Sequence, residues 1–171
     1  IEAGDFSGEL SETLVLYVSD EQTFKRVIVV GLGSRDKYTL DTMRRAIATG
    51  LLKARNLKLK TVASYPLDTE AVQVMAEGAL LSLYQYHGQK SDDAPASLPE
   101  SLILLSEDSA AETAIQVGSA FAEGTILARD LINLPPNILS PAYLASRAEQ
   151  MAKEVGLDCT VLDKSQMEAL K

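Results

Sequence analysis

Cysteine and histidine each occur once in this chain, as Cys159 and His87. A single cysteine rules out an internal disulfide and any site built on several thiolates, and it suits a reducing compartment. A single histidine leaves a catalytic dyad or a metal site dependent on other ligand types. Long apolar runs are missing too, since nothing approaches the ~18–20 residues a membrane helix needs. Positive charge is scarce. The formal net charge of −8 disfavours nucleic acid and anionic membrane as partners, because both call for a basic footprint. The small basic groups, Arg44–Arg45 and Lys53 to Lys60, fall on one helical stretch and its exit, where a solvated face accounts for them. Ile1-Glu2-Ala3-Gly4 has neither an initiator Met nor a signal-peptide pattern, so the numbering is expected to begin inside a longer protein.

What is present is an alternation of short β-branched runs and helical stripes. With 171 residues, 46% of them hydrophobic, the chain can bury a core without disulfides. Leu14 to Val18 and Arg26 to Val30 read as strands, the second apolar at four successive positions, as in a strand covered on both faces. Gly31-Leu32-Gly33 ends it. From Thr39 to about Leu57, Leu40, Met43, Ile47, Leu51 and Ala54 recur at three- and four-residue steps, one face of an amphipathic helix with Thr39 as N-cap. A strand from Thr61 to Tyr65 and a helix from Glu70 to Tyr86 follow, the latter carrying Val72, Met75, Ala79, Leu83 and Tyr86 in line. Gly88 to Pro99 reads as an exposed loop, and Ser101 to Ser106 as another buried strand. Ser109-Ala110-Ala111-Glu112 has the spacing of a capping box for a helix reaching Asn133, roughly 35 Å long at ~1.5 Å per residue.

Pro135–Pro136 must end that helix, because proline removes a donor and forces the preceding residue out of helical geometry. Ser140-Pro141 starts the next, with Leu139 and Leu144 placed as a hydrophobic staple. Gly156 stops it. Asp158 to Leu162 reads as one more strand and Ser165 to Leu170 as a helix. The expected fold class is α/β, a mixed, largely parallel sheet flanked by helices, followed by the long helix.

Candidate chemistry is thin. Gly31-Leu32-Gly33 lies between a strand and a helix, where phosphate-binding glycine loops sit. The position where the fingerprint needs a further glycine is Asp36, whose carboxylate would repel a pyrophosphate, so a tight turn is the preferred reading. His87 has only Asp92–Asp93 nearby, a weak ligand set. Cys159, in an apolar strand with no base beside it, reads as a buried structural thiol. Glu107–Asp108 suit the approach to a helix N-terminus. Met43, Met75, Met151 and Met167 sit at helical core spacing. Arg129–Asp130 are open to surface ion pairs or an interdomain contact. No catalytic, metal or cofactor-binding residue is assigned.

The run Ala128-Arg129-Asp130-Leu131-Ile132-Asn133-Leu134-Pro135-Pro136-Asn137-Ile138-Leu139-Ser140-Pro141 resembles the leucyl (cytosol) aminopeptidase family. The likeness continues through Leu144-Ala145, Ala148, Val161-Leu162-Asp163 and Met167. Upstream, Lys25 to Gly33 and Ala76-Glu77-Gly78-Ala79-Leu80-Leu81 to Tyr84 are also similar and come in the family's order. The resemblance implies a non-catalytic, macro-like N-terminal domain over residues 1–108 whose opening strands precede Ile1. It further implies a linker helix over 109–133 and, over 134–171, the beginning of a catalytic peptidase domain.

For the whole protein it implies a cytoplasmic, hexameric hydrolase that removes N-terminal residues from peptides with two divalent metals, manganese or zinc. The family's metal-ligand blocks, one of Lys and Asp and one reading Asn-Thr-Asp-Ala-Glu-Gly-Arg, do not occur in this sequence. This segment is therefore expected to be inactive alone and to serve assembly and scaffolding. The alternatives are a macro-like module for a nucleotide or ADP-ribose, supported only by the glycine turn, and a DNA-binding domain, opposed by the charge.

Overall fold

The computed structural model describes residues 4–18, 23–86 and 98–170. Two compact units divide the chain, Ile1–Ala128 and Arg129–Lys171. In the first, β1 (Thr13–Tyr17) and β2 (Arg26–Val30) pair antiparallel, with Leu14 opposite Val29 and Leu16 opposite Val27. The β3 strand (Thr61–Ser64) and β4 (Ser101–Leu104) pair in parallel, Val62 opposite Leu102 and Ser64 opposite Leu104. The fold is thus α/β with mixed strand pairing, as expected, and among the described residues the strands form two two-stranded sheets. Along β3 and β4 burial alternates residue by residue, the period of a strand with one face on a core. Val62, Leu102 and Leu104 supply that inner face.

The core is made by α1 (Leu40–Asn56) and α2 (Thr69–Leu83). Met43, Ile47 and Leu51 of α1 meet Ala71, Val74, Met75 and Ala79 of α2. The helical stripe read from the sequence is the buried one, except that Leu40 remains 37% exposed. Thr39 caps α1 with a reciprocal bond to Thr42, which satisfies two donors the first turn leaves free. The other end closes at Lys58, held at φ 55°, while the Leu59 N–H donates to Ala54 O at 2.9 Å.

Two glycines let helices come together. A Cβ on Gly78 of α2 would lie 2.6 Å from the Arg44 carbonyl oxygen of α1. A Cβ on Gly118 of α3 (Ala111–Asn133) would lie 2.1 Å from the Gln73 carbonyl oxygen of α2. Around that contact α3 buries Ala114, Gly118 and Ala122, small residues at four-residue steps that keep one face flat.

The start of α3 departs from the sequence reading. The capping box expected at Ser109 is not formed; Asp108 takes its place. Its carbonyl accepts the Ala111 N–H at 3.0 Å and its Oδ1 accepts the Ala110 N–H at 2.9 Å. The Asp108 carboxylate thus holds the chain one residue ahead of the expected cap, through a charge-assisted bond to the Ala110 N–H.

In the second unit, α4 (Pro141–Val155) begins on Ser140, whose Oγ accepts the Tyr143 N–H at 3.2 Å. It ends on Gly156 in the left-handed region at φ 73°, the backbone conformation glycine tolerates without a Cβ penalty. The α5 helix (Lys164–Ala169) starts at Asp163, which exchanges hydrogen bonds with Gln166. The strand expected over Asp158–Leu162 is not formed. A strand exists only with a ladder partner, and no described residue of this unit lies in one. For the same reason Cys159, read as a buried thiol, is exposed. Met167, read as core, is 51% exposed on a helix that buries nothing.

Candidate functional site

In an α/β fold, ligands collect where parallel strands end and helices begin, because the free N–H groups of a helix start attract negative charge. Here that place is the exit of β3 into α2 and of β4 into α3. Asp68, the N-cap of α2, accepts the Ala71 N–H at 2.7 Å. Asp108 both holds the first turn of α3 and accepts the hydroxyl of Thr69, the first residue of α2. One carboxylate therefore ties two helix starts together. The Thr69 hydroxyl, followed by the Ala110 N–H, holds Asp108 below the usual carboxylate range. Nearby, the buried Tyr38 hydroxyl makes no hydrogen bond among the described residues. Burial, with the negative charge of Asp68 adding to it, pushes this phenol up.

The glycine turn after β2 is filled by the chain itself. Gly33 donates to Gly8 O at 2.9 Å, Gly31 donates to Glu12 O at 2.8 Å, and Ser11 donates to Gly31 O at 2.9 Å. A Cβ on Gly31 would lie 2.0 Å from Glu9 O, so close backbone approach is the reason for glycine there. The segment that fills the turn is closed by Glu12. Its Oε2 accepts the Ser7 hydroxyl at 2.7 Å, the Gly8 N–H at 2.8 Å and the N–H groups of Ser7 and Glu9 at 3.1 Å. Successive N–H groups converging on one oxygen make an anion nest, and the anion here is Glu12. The Ser7 hydroxyl, more than any other donor, holds this carboxyl below its ordinary range. Asp36 accepts the Ser34 hydroxyl and is lowered by it.

The chemical consequence is plain. Among the described residues, the glycine turn, the Ser7–Glu9 nest and the starts of α2 and α3 each already hold a carboxylate or a backbone carbonyl of the same chain. A pyrophosphate would have to displace one of them beside Asp36, Asp68 or Asp108. The turn reading of Gly31–Gly33 is the one the geometry supports.

Among the described residues, no three His, Cys, Asp or Glu come together as a metal-binding set. His87, Asp92 and Asp93 lie outside the described residues. No described helix is long and apolar enough to cross a membrane. A pocket of about 310 Å³, mostly apolar, opens between Leu51, Leu83, Tyr84, Pro99 and Leu102. Sequence reasoning missed the clasp at Glu12 and the bridging role of Asp108. The first is irregular in backbone, and the second depends on Thr69, far away in the chain.

The double-proline block has a defined geometry of its own. After α3 ends at Asn133, the Pro135 carbonyl accepts the N–H groups of Ile138 and Leu139 at 2.9 and 3.0 Å. Ser140 then donates to Ile138 O at 2.8 Å, and its side chain starts α4. Neither proline supplies an N–H, so the turn takes all its donors from the three residues Ile138, Leu139 and Ser140.

Comparison with known proteins falls on the same blocks. The family described as "Cytosol aminopeptidase family, N-terminal domain" matches residues 1–93, and "Cytosol aminopeptidase family, catalytic domain" matches residues 126–171. A probable cytosol aminopeptidase of Roseiflexus castenholzii is 38% identical, over 98% of this chain and 36% of its own length. One of Syntrophotalea carbinolica is 35% identical, over the same shares. The chain thus spans about a third of the length of the curated relatives it matches. Among solved structures, the bottromycin maturation enzyme BotP in complex with Mn is 28% identical with a TM-score of 0.81, covering 99% of this chain and 36% of that one. Tomato leucine aminopeptidase (the K354E mutant) shares the fold, with a TM-score of 0.83 at 24% identity over 99% of this chain and 35% of its own. The filled turn, the clasped N-terminal segment and the proline-bounded start of α4 are features of a chain that belongs to the cytosol aminopeptidase family.

Proposed function

We propose that this chain is the front part of a metal-dependent leucyl aminopeptidase, a hydrolase that releases N-terminal amino acids from peptides. The observation that carries this reading is the match of both family domains in sequence order, the catalytic one taking in the end of α3, the proline turn and α4. In the net reaction water's oxygen joins the scissile carbonyl carbon, the C–N bond breaks, and the amine leaves with a proton. Two divalent ions, manganese or zinc, would supply Lewis acidity for it, and the manganese in BotP supports that metal class. The described residues offer no fitting ligand set, so no step of the hydrolysis is assigned to them. Their role is structural: residues 1–108 scaffold and orient subunits in a homo-oligomer, a hexamer in the cytoplasm, 109–133 form the linker helix, and 134–171 begin the hydrolytic domain.

A chimera tests this. This chain replaces the corresponding segment of the Roseiflexus castenholzii relative, and leucine-amide hydrolysis with manganese is measured beside sedimentation. The expected result is an active hexamer from the chimera and no hydrolysis by this chain alone. Hydrolysis by the isolated chain would overturn the reading, and so would a folded chimera lacking either activity or assembly. The acidic charge of −8 and the filled turn speak against the nucleotide and DNA readings.

A further inference from the structure

We draw no further inference here: the strongest candidate, the apolar pocket between the ends of α1 and α2 and the start of β4 (Leu51, Leu83, Tyr84, Pro99, Leu102), carries nothing because the chain between its walls, residues 87–97, lies outside the described residues and nothing in the structure shows what covers it.

Discussion

The guanidinium of Arg44 on α1 donates from Nε and Nη2 to a single oxygen of Glu77 on α2, at 3.0 and 2.9 Å. Glu77 immediately precedes Gly78, the glycine that lies against the Arg44 carbonyl. One residue thus meets its neighbour helix with both its backbone and its side chain, and Asp41 steadies the same guanidinium at 2.9 Å. Both partners keep some solvent contact, 31% and 18% of their side chains, so screening limits the gain. Arg44→Ala and Glu77→Gln are each expected to cost about 1 kcal/mol, with a double-mutant cycle by urea unfolding showing that the two losses do not add. Additive losses would mean the pair is incidental.

Gly118 and Gly124 stand on the same helix in opposite circumstances. A Cβ at Gly118 meets backbone at 2.1 Å, whereas at Gly124 nothing lies within 4 Å. Gly118→Ala is expected to destabilise by about 1–3 kcal/mol through overpacking. Gly124→Ala is expected to stabilise by about 0.5–1 kcal/mol through helix propensity. Thermal unfolding of the two variants measures both, and a Gly118→Ala variant no less stable than the parent would refute the close crossing of α2 and α3.

Lys58 holds a left-handed φ of 55° at the end of α1, a conformation that favours glycine. Lys58→Gly is expected to raise stability by about 0.5–1 kcal/mol. A loss measured by denaturant titration would show that the lysine side chain makes a compensating contact.

A carboxylate whose pKa is lowered by folding contributes stability that is complete above its unfolded value and drains away as pH falls through the folded one. Glu12 and Asp108 are both lowered, so their contributions fade at the bottom of the usual carboxylate range and below it. Hydrogen exchange at Gly33 N–H, which donates to Gly8 O, should quicken in that window once the intrinsic rate is corrected for. Glu12→Gln should exchange fast throughout and lose the pH dependence. Unchanged protection in the variant would show that the clasp does not hold the turn.

Much of the fold was legible because its signals are local. The stripe Met43, Ile47, Leu51, the caps at Thr39 and Ser140, and the stop at Gly156 each follow from a few neighbouring residues. The features that shape the candidate site are not local. Nothing near Gly118 announces that Gln73 will lie over it, and nothing near Asp108 announces Thr69. Ser109 carried a convincing cap pattern, yet the first turn of α3 is held by Asp108 one residue earlier. Asp158–Leu162 read as an apolar strand, but an apolar run reports a surface to bury and not the neighbour that would bury it. The family resemblance, by contrast, was legible from the proline block, whose turn geometry depends on its own residues.

Asp68, Asp108 and Glu12 act as resident counter-ions for donor groups that dissolved anions would otherwise visit. At these three places the composition of the buffer should therefore matter only in a generic way. Phosphate or sulfate would raise its melting temperature steadily with concentration, as excluded solutes do, and would show no plateau of the kind a saturable ligand leaves.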